Sequence, residues 1–162
     1  MLFFVETKDA EQRMLLCHWV EFFHESGKKV QVLADSSLAA QHLDRMLWTF
    51  SQPSFIPHRI LSAEGFEEGG ESVVISVGEV LLPDWDVLIC DGPAGLDFMG
   101  RYPIAMHFII QNEPEKLQAS RILWQQARDE GVGIQHIPYA FNHPRFGWPP
   151  PDRAAPSAQR SG

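Results

Sequence analysis

The chain has 162 residues, of which 44% are hydrophobic, and it carries a formal net charge of −8. This length is sufficient for one domain with a single large core. The acidic balance argues against broad contact with nucleic acid or an anionic membrane, because both require a basic surface. Nucleic acid is therefore expected as a partner only indirectly, and no membrane partner is expected.

Short apolar runs alternate with amphipathic stretches along most of the chain. The runs predict strands at Leu2–Val5, Val30–Ala34, His58–Leu61, Val73–Val77, Asp86–Cys90 and Ala105–Ile110, with a further extended segment at Gly133–Tyr139. Alternating strands and helices imply parallel strands joined by right-handed crossovers. The predicted class is α/β: one doubly wound, mostly parallel sheet with helices on both faces, Rossmann-like without a nucleotide site.

The first helix is predicted to follow Thr7 or Asp9, either of which can serve as its N-cap. Gly27 ends this helix, and Gly131 ends the last one, because glycine adopts the backbone conformation that terminates helices. The stretch Ser62–Ser72 is rich in Gly and Glu, which predicts a flexible surface loop.

A second helix is predicted to run from an N-cap at Asp35 or Ser36 to Trp48. Its apolar stripe is expected to contain Leu38, Ala39, His42, Leu43, Met46 and Leu47. Trp48 points nearly opposite this stripe, so its indole lies on the polar face unless the following residues cover it. Two interpretations follow: a satellite core in which Phe55 packs under Trp48, or an exposed protein-binding patch of Trp48, Phe55, Ile56 and Pro57.

The last helix is predicted to begin at Asn112, with Glu115 three residues later completing a capping box. Arg121 and Arg128 lie three residues before and four residues after Trp124, which places both beside its ring at the border with solvent. Either the arginine stems cover a tryptophan at the edge of the core, or the aromatic ring and two cations form a binding surface.

From His143 onward the chain contains several prolines and no apolar period. This composition predicts a domain at residues 1–142 and a Pro-rich disordered tail at residues 143–162.

The motifs of catalysis and cofactor binding are missing from the sequence. It contains neither Gly-x-Gly-x-x-Gly nor a P-loop, and its seven histidines lack metal-ligand spacing, so no cofactor and no metal are expected. Cys17 and Cys90 form no disulfide framework, and no leader or membrane span is recognised, which favours the cytoplasm. The alternative is a small Rossmann-like enzyme or a nucleotide- or metabolite-binding domain using the Cys90–Gly95 turn, although Asp91 would raise the thiol pKa.

The order Leu43-Asp44, Leu47-Trp48 and then Phe55-Ile56-Pro57-His58 resembles the signature segment of the chi subunit of bacterial DNA polymerase III, a clamp-loader accessory protein. The similarity spans roughly Met1 to Tyr139. It implies a non-catalytic subunit of the replicative holoenzyme, rather than an enzyme.

The resemblance also implies two partner sites. A psi subunit or a helicase would bind at Trp48, Phe55, Ile56 and Pro57. The acidic, aromatic-ending tail of single-strand DNA-binding protein would bind at Leu117, Arg121, Trp124 and Arg128. The last helix departs from the family, which commonly has more lysine and arginine there, by carrying Gln118, Gln125 and Gln126.

Overall fold

The computed structural model of the protein describes residues 1–50, 56–61 and 69–150. In these ranges seven strands form one sheet: β1 (Leu2–Thr7), β2 (Val30–Ala34), β3 (His58–Ile60), β4 (Val73–Val77), β5 (Val87–Cys90), β6 (Ile104–Ile110) and β7 (Ile134–Ile137). The helices are α1 (Gln12–Glu25), α2 (Ser37–Thr49), α3 (Leu96–Met99) and α4 (Pro114–Asp129). Single 3-10 turns lie at Asp9–Glu11, Tyr139–Phe141 and Pro144–Phe146.

Every pair of neighbouring strands in the sheet is parallel, and the strand order is β3-β4-β2-β5-β6-β1-β7. The chain moves from β1 out to the edge strand β3 and returns through β5 and β6 to the opposite edge at β7. This path is the doubly wound arrangement, and it confirms the predicted α/β class. Because all strands are parallel, their carboxyl ends meet along one edge of the sheet.

The core has two layers, one on each face of the sheet. Successive strand residues point to opposite faces. Phe3 and Val5 of β1 therefore join a cluster with α1 and α2, whereas Leu2 and Phe4 join a cluster with α3 and α4. Helices on both faces bury β2 and β5 completely, whereas the edge strands β3 and β7 keep partly exposed residues.

Helix α2 begins as predicted, since Ser36 Oγ accepts a hydrogen bond from the Ala39 N–H at 3.1 Å. The prediction that Leu38 and His42 belong to the buried stripe is wrong, because Leu38 is 78% exposed, His42 is also exposed, and Ala40 is buried instead. At 100° per residue Leu38 lies on the side of the helix opposite Leu47, whose side chain is buried in the core.

The predicted helix starts are wrong for α1 and α4. The N-cap of α1 is Glu11, and the N-cap of α4 is Glu113, neither with a side-chain capping bond. Pro114 takes the first position of α4, where its fixed φ suits a helix and its missing N–H costs nothing. Asn112 Oδ1 accepts instead from the Asp9 N–H at 2.9 Å, tying this turn to the segment before α1.

The segment after β7 folds back over α1. The Trp148 ring centroid lies 4.9 Å from that of Phe3 and 5.0 Å from that of Phe23, and Trp19 Nε1–H donates to Asn142 O at 2.9 Å. The predicted disordered tail is therefore wrong for residues 143–150. Trp148 anchors this segment, and a single tryptophan produces no apolar period in the sequence. Residues 151–162, and residues 62–68 of the predicted surface loop, lie outside the described part of the chain.

Within the described ranges, no helix has both the length and the apolar character needed to cross a membrane.

Candidate protein-binding surfaces

Trp48 forms the centre of the first surface, near the end of α2. Its side chain is 48% exposed, and its ring centroid lies 4.3 Å from that of His58, the first residue of β3. Pro57, which directly precedes that strand, is half-buried. A large indole is thus held at the surface against a buried ring, which is the arrangement of a rigid apolar platform. We call Trp48 and Pro57 the Trp48 patch.

The other two residues predicted for this surface have different positions. Ile56 is 2% exposed and lies in the core cluster beneath α2, so it anchors the segment and is not available to a partner. Phe55 lies outside the described residues. Sequence periodicity cannot distinguish Ile56 from its neighbours here, because irregular segments between a helix and a strand have no fixed period.

His58 connects the pieces of this surface. Its side chain is completely buried, and Nδ1 lies 2.7 Å from Ile56 O. Nε2 lies 3.1 Å from Asp44 O and 3.2 Å from Asp44 Oδ1. The imidazole therefore bridges α2 and the segment before β3, directly beneath Trp48.

The second surface lies along one stripe of α4. Leu117, Arg121, Trp124 and Arg128 follow each other at spacings of four, three and four residues, and this spacing places them on a single side of the helix. Leu117 and Trp124 are half-buried, whereas Arg121 and Arg128 are exposed. We call these four residues the α4 stripe.

Trp124 is fixed from below and from one side. Its ring meets Phe4 edge-on at 4.9 Å between centroids, and it meets His136 edge-on at 6.3 Å. His136 Nε2 in turn lies 3.0 Å from Glu6 Oε2. The structure therefore places Trp124 at the border of the core with a partly open ring, as both interpretations of this residue require.

Helix α4 is also fastened to the sheet through a buried polar pair. His107 Nε2 and Ser120 Oγ lie 2.7 Å apart and share a hydrogen bond between β6 and α4. Burial lowers the pKa of His107 to about 4, so the ring is neutral at physiological pH. A neutral, hydrogen-bonded ring positions the α4 stripe without placing a buried charge beneath it.

The turn after β5, proposed above as an alternative ligand site, is closed by protein atoms. Arg13 Nε and Nη2 donate to the two carboxylate oxygens of Asp91 at 3.2 and 3.0 Å, and Gln12 Nε2 donates to Asp91 O at 3.0 Å. A Cβ on Gly92 would stand 2.6 Å from the Asp35 Cβ, so the turn packs tightly against the loop after β2. Arg13 and Gln12 thus already bind the polar groups of Asp91 that this turn would offer to a ligand.

The Cys90 thiol is unsuited to nucleophilic chemistry. Burial, with smaller contributions from Glu79 and Asp91, raises its pKa to about 12. Asp91 therefore acts in the predicted direction, but burial is the larger cause. Among the described residues, no cluster of three or more His, Cys, Asp or Glu side chains could hold a metal ion.

Three features of the structure are not predicted from the sequence: the bridge made by His58, the pairing of Arg13 with Asp91, and the packing of Trp148 on α1. A histidine next to Pro57 and an arginine opening α1 are weak signals on their own, since their partners lie 14 and 78 residues away in the sequence.

Comparisons with known proteins agree with this architecture. The profile of the family described as DNA polymerase III chi subunit, HolC, matches residues 1–135. A search of curated proteins found no match. Among solved structures, an S. cerevisiae Dbp5 variant bound to RNA and ADP BeF3 is similar with a TM-score of 0.61 and 12% identity, covering 85% of this chain and 41% of that one.

A C-terminal domain of a Dbp5 variant, also from S. cerevisiae and bound to a Gle1 variant and IP6, is similar with a TM-score of 0.55. Its identity is 14%, and the match covers 85% of this chain and 88% of that one. The chain thus spans about two fifths of the longer Dbp5 structure and most of the separate domain. At this level of identity the likeness concerns the fold alone.

Proposed function

The chain belongs to the DNA polymerase III chi subunit family, and from this premise we propose that it links the clamp loader to single-strand DNA-binding protein through two separate protein-binding surfaces. Membership places the chain in DNA replication as an accessory subunit of the polymerase III complex. In the proposal, the Trp48 patch binds a psi subunit or a helicase. The α4 stripe binds the C-terminal tail of single-strand DNA-binding protein.

One observation carries the proposal: the half-exposed Trp48 on a buried support. Trp48 is 48% exposed and so offers apolar area to a partner, and tryptophan is among the residues most enriched in binding hot spots. Because the His58 ring is already packed beneath the indole, little side-chain freedom is lost when a partner covers it.

The test is binding of the purified psi subunit from the same organism, and of a candidate helicase, to Trp48→Ala. We expect a loss of about 2–4 kcal/mol, or at least thirtyfold in affinity, by calorimetry. Leu38→Ala is the matched control, because Leu38 is an exposed apolar residue on the same helix. Equal binding of Trp48→Ala and the wild-type chain by both partners, with both variants folded by circular dichroism, would contradict the proposal.

The α4 stripe supports the second half of the proposal by its chemistry. Arg121 and Arg128 provide cations on either side of Trp124, and an acidic peptide ending in an aromatic residue needs both cations and an apolar surface. The net charge of −8 opposes an acidic peptide, so micromolar to tens of micromolar affinity is expected.

This half is tested by fluorescence anisotropy with the labelled C-terminal peptide of the host's single-strand DNA-binding protein. Arg121→Glu and an increase in salt from ~0.05 to ~0.3 M should each weaken binding several-fold, because exposed ion pairs are screened. Removal of the terminal aromatic residue should abolish most of the affinity. Lys116→Glu, on the same helix but outside the stripe, controls for a general effect of charge. Affinity that is indifferent to Arg121→Glu and to salt would refute this surface.

A further inference from the structure

We infer that His58 is the positioning residue of the Trp48 patch, and that it acts as a doubly protonated imidazole clamped between backbone carbonyls and the Asp44 carboxylate. The inference rests on the proposed function for its meaning, but its geometry is independent of any partner. In this inference, the buried His58 sets the orientation of Trp48, the residue that would contact the partner.

The hydrogen bonds of His58 indicate how its ring is protonated. Both ring nitrogens of His58 face oxygen acceptors, with Ile56 O at 2.7 Å from Nδ1 and Asp44 O at 3.1 Å from Nε2. A neutral imidazole has one N–H, so one of these contacts would bring a nitrogen lone pair against a carbonyl oxygen. With two N–H groups the ring donates to both carbonyls.

The Asp44 carboxylate supplies the negative charge that a protonated His58 requires. A buried cation is stable only when it is paired and hydrogen-bonded. Asp44 Oδ1 lies 3.2 Å from Nε2 and is the charged group that the described residues place against the ring. The Asp44 side chain is 32% exposed, so the carboxylate retains part of its hydration while it neutralises His58. The same residue thus accepts through its backbone and pairs through its side chain.

The bridge made by His58 supports the Trp48 patch. His58 ties α2, through Asp44, to the segment that carries Pro57, and the Trp48 ring rests on this bridge at 4.3 Å between centroids. A cationic ring against an indole adds a cation–π attraction to the apolar contact. Loss of the bridge would free the segment before β3 and remove the His58 ring from beneath Trp48, although the core around Leu47 and Ile56 would remain.

The protonation state is tested by NMR of the full chain labelled with 15N-histidine near neutral pH. The His58 signals are identified by their absence from His58→Gln. We expect both ring nitrogens to have the chemical shifts of protonated nitrogens. A spectrum in which one His58 nitrogen is unprotonated would overturn the assignment of a charged clamp.

The positioning role is tested with 5-fluorotryptophan and 19F NMR. The Trp48 resonance among the five tryptophans is identified by its loss in Trp48→Phe. In His58→Gln, or in Asp44→Asn should His58→Gln fail to fold, we expect the Trp48 resonance to shift and broaden while the other four remain. His42→Gln, an exposed histidine on the same helix, is the control. An unchanged Trp48 resonance would show that the bridge does not hold the ring.

Partner binding then separates this inference from the function on which it rests. His58→Gln should weaken psi or helicase binding about tenfold through lost preorganisation, less than Trp48→Ala. If Trp48→Ala binds the partner with wild-type affinity, the proposed function is refuted. The two NMR results then decide the role of His58 on their own. Tight binding by His58→Gln, with Trp48→Ala impaired, removes the positioning role alone.

Discussion

The packing of Trp148 on α1 gives the most direct test of the fold outside the region matched by the family profile. Its ring lies within 4.9–6.2 Å, between centroids, of Phe3, Trp19, Phe22 and Phe23. Complete truncation of a buried tryptophan costs about 3–5 kcal/mol. Trp148 is half-buried, so we expect Trp148→Ala to lower the free energy of unfolding by about 2–3 kcal/mol.

The measurement is urea unfolding followed by far-UV circular dichroism. For a chain of this size the expected loss corresponds to a decrease in melting temperature of roughly 4–12 °C. The slope of free energy against urea should stay constant, because the domain still unfolds as a unit. Arg145→Ala, an exposed position in the same segment, should change stability by less than about 0.5 kcal/mol. If Trp148→Ala had an equally small effect, residues 143–150 would not pack on α1.

Three further predictions follow from buried polar groups. Burial raises the pKa of both Cys17 and Cys90 to about 12, so neither thiol should react with a disulfide reagent near pH 8 until the chain is unfolded, as a spectrophotometric assay with and without urea would show. Burial lowers the pKa of His107 to about 4 from about 6.5, so the unfolded chain takes up a proton that the native chain does not as pH falls between these values. Wild-type stability should therefore fall with decreasing pH in this window by up to about 3 kcal/mol more than that of His107→Gln, and equal slopes would contradict the neutral buried ring. Arg13→Met should lower the free energy of unfolding by about 1–3 kcal/mol, because it leaves the Asp91 carboxylate, which is 3% exposed, without its cation. The lower part of this range reflects the Arg13 side chain, which is itself 36% exposed. Arg13→Lys should recover part of the loss in a measurement of urea unfolding.

Most of the fold could be predicted because its strands are covered on both faces. A doubly buried strand is a short, nearly continuous apolar run, and such runs are easy to recognise between amphipathic helices. The neighbouring strands β2 and β4 begin and end where the sequence predicts. The short helix α3 was missed because four residues are too few to display a helical period.

The helix ends and the binding surfaces were less predictable, because they depend on contacts between distant residues. Asn112 has the chemistry of an N-cap, but it bonds to Asp9, 103 residues away, and Pro114 starts the helix instead. Ile56 has the apolar character expected of a hot spot, but the segment turns it inward. Composition identifies which residues can bind a partner, whereas contacts with the core decide which of them face solvent.

The arrangement of the two surfaces leads to a last prediction, that both partners bind at the same time. Helix α2 packs on one face of the sheet and α4 on the other, so the Trp48 patch and the α4 stripe are separated by the sheet itself. Neither surface shares a residue with the other, so neither partner occupies the residues that the other one binds. The affinity of the tail peptide, measured by anisotropy, should therefore change by less than about twofold when saturating psi or helicase is added. Displacement of the peptide by the partner, or a change in affinity of tenfold or more, would mean that the surfaces overlap or are coupled through the sheet, and the chain could not then connect both partners independently.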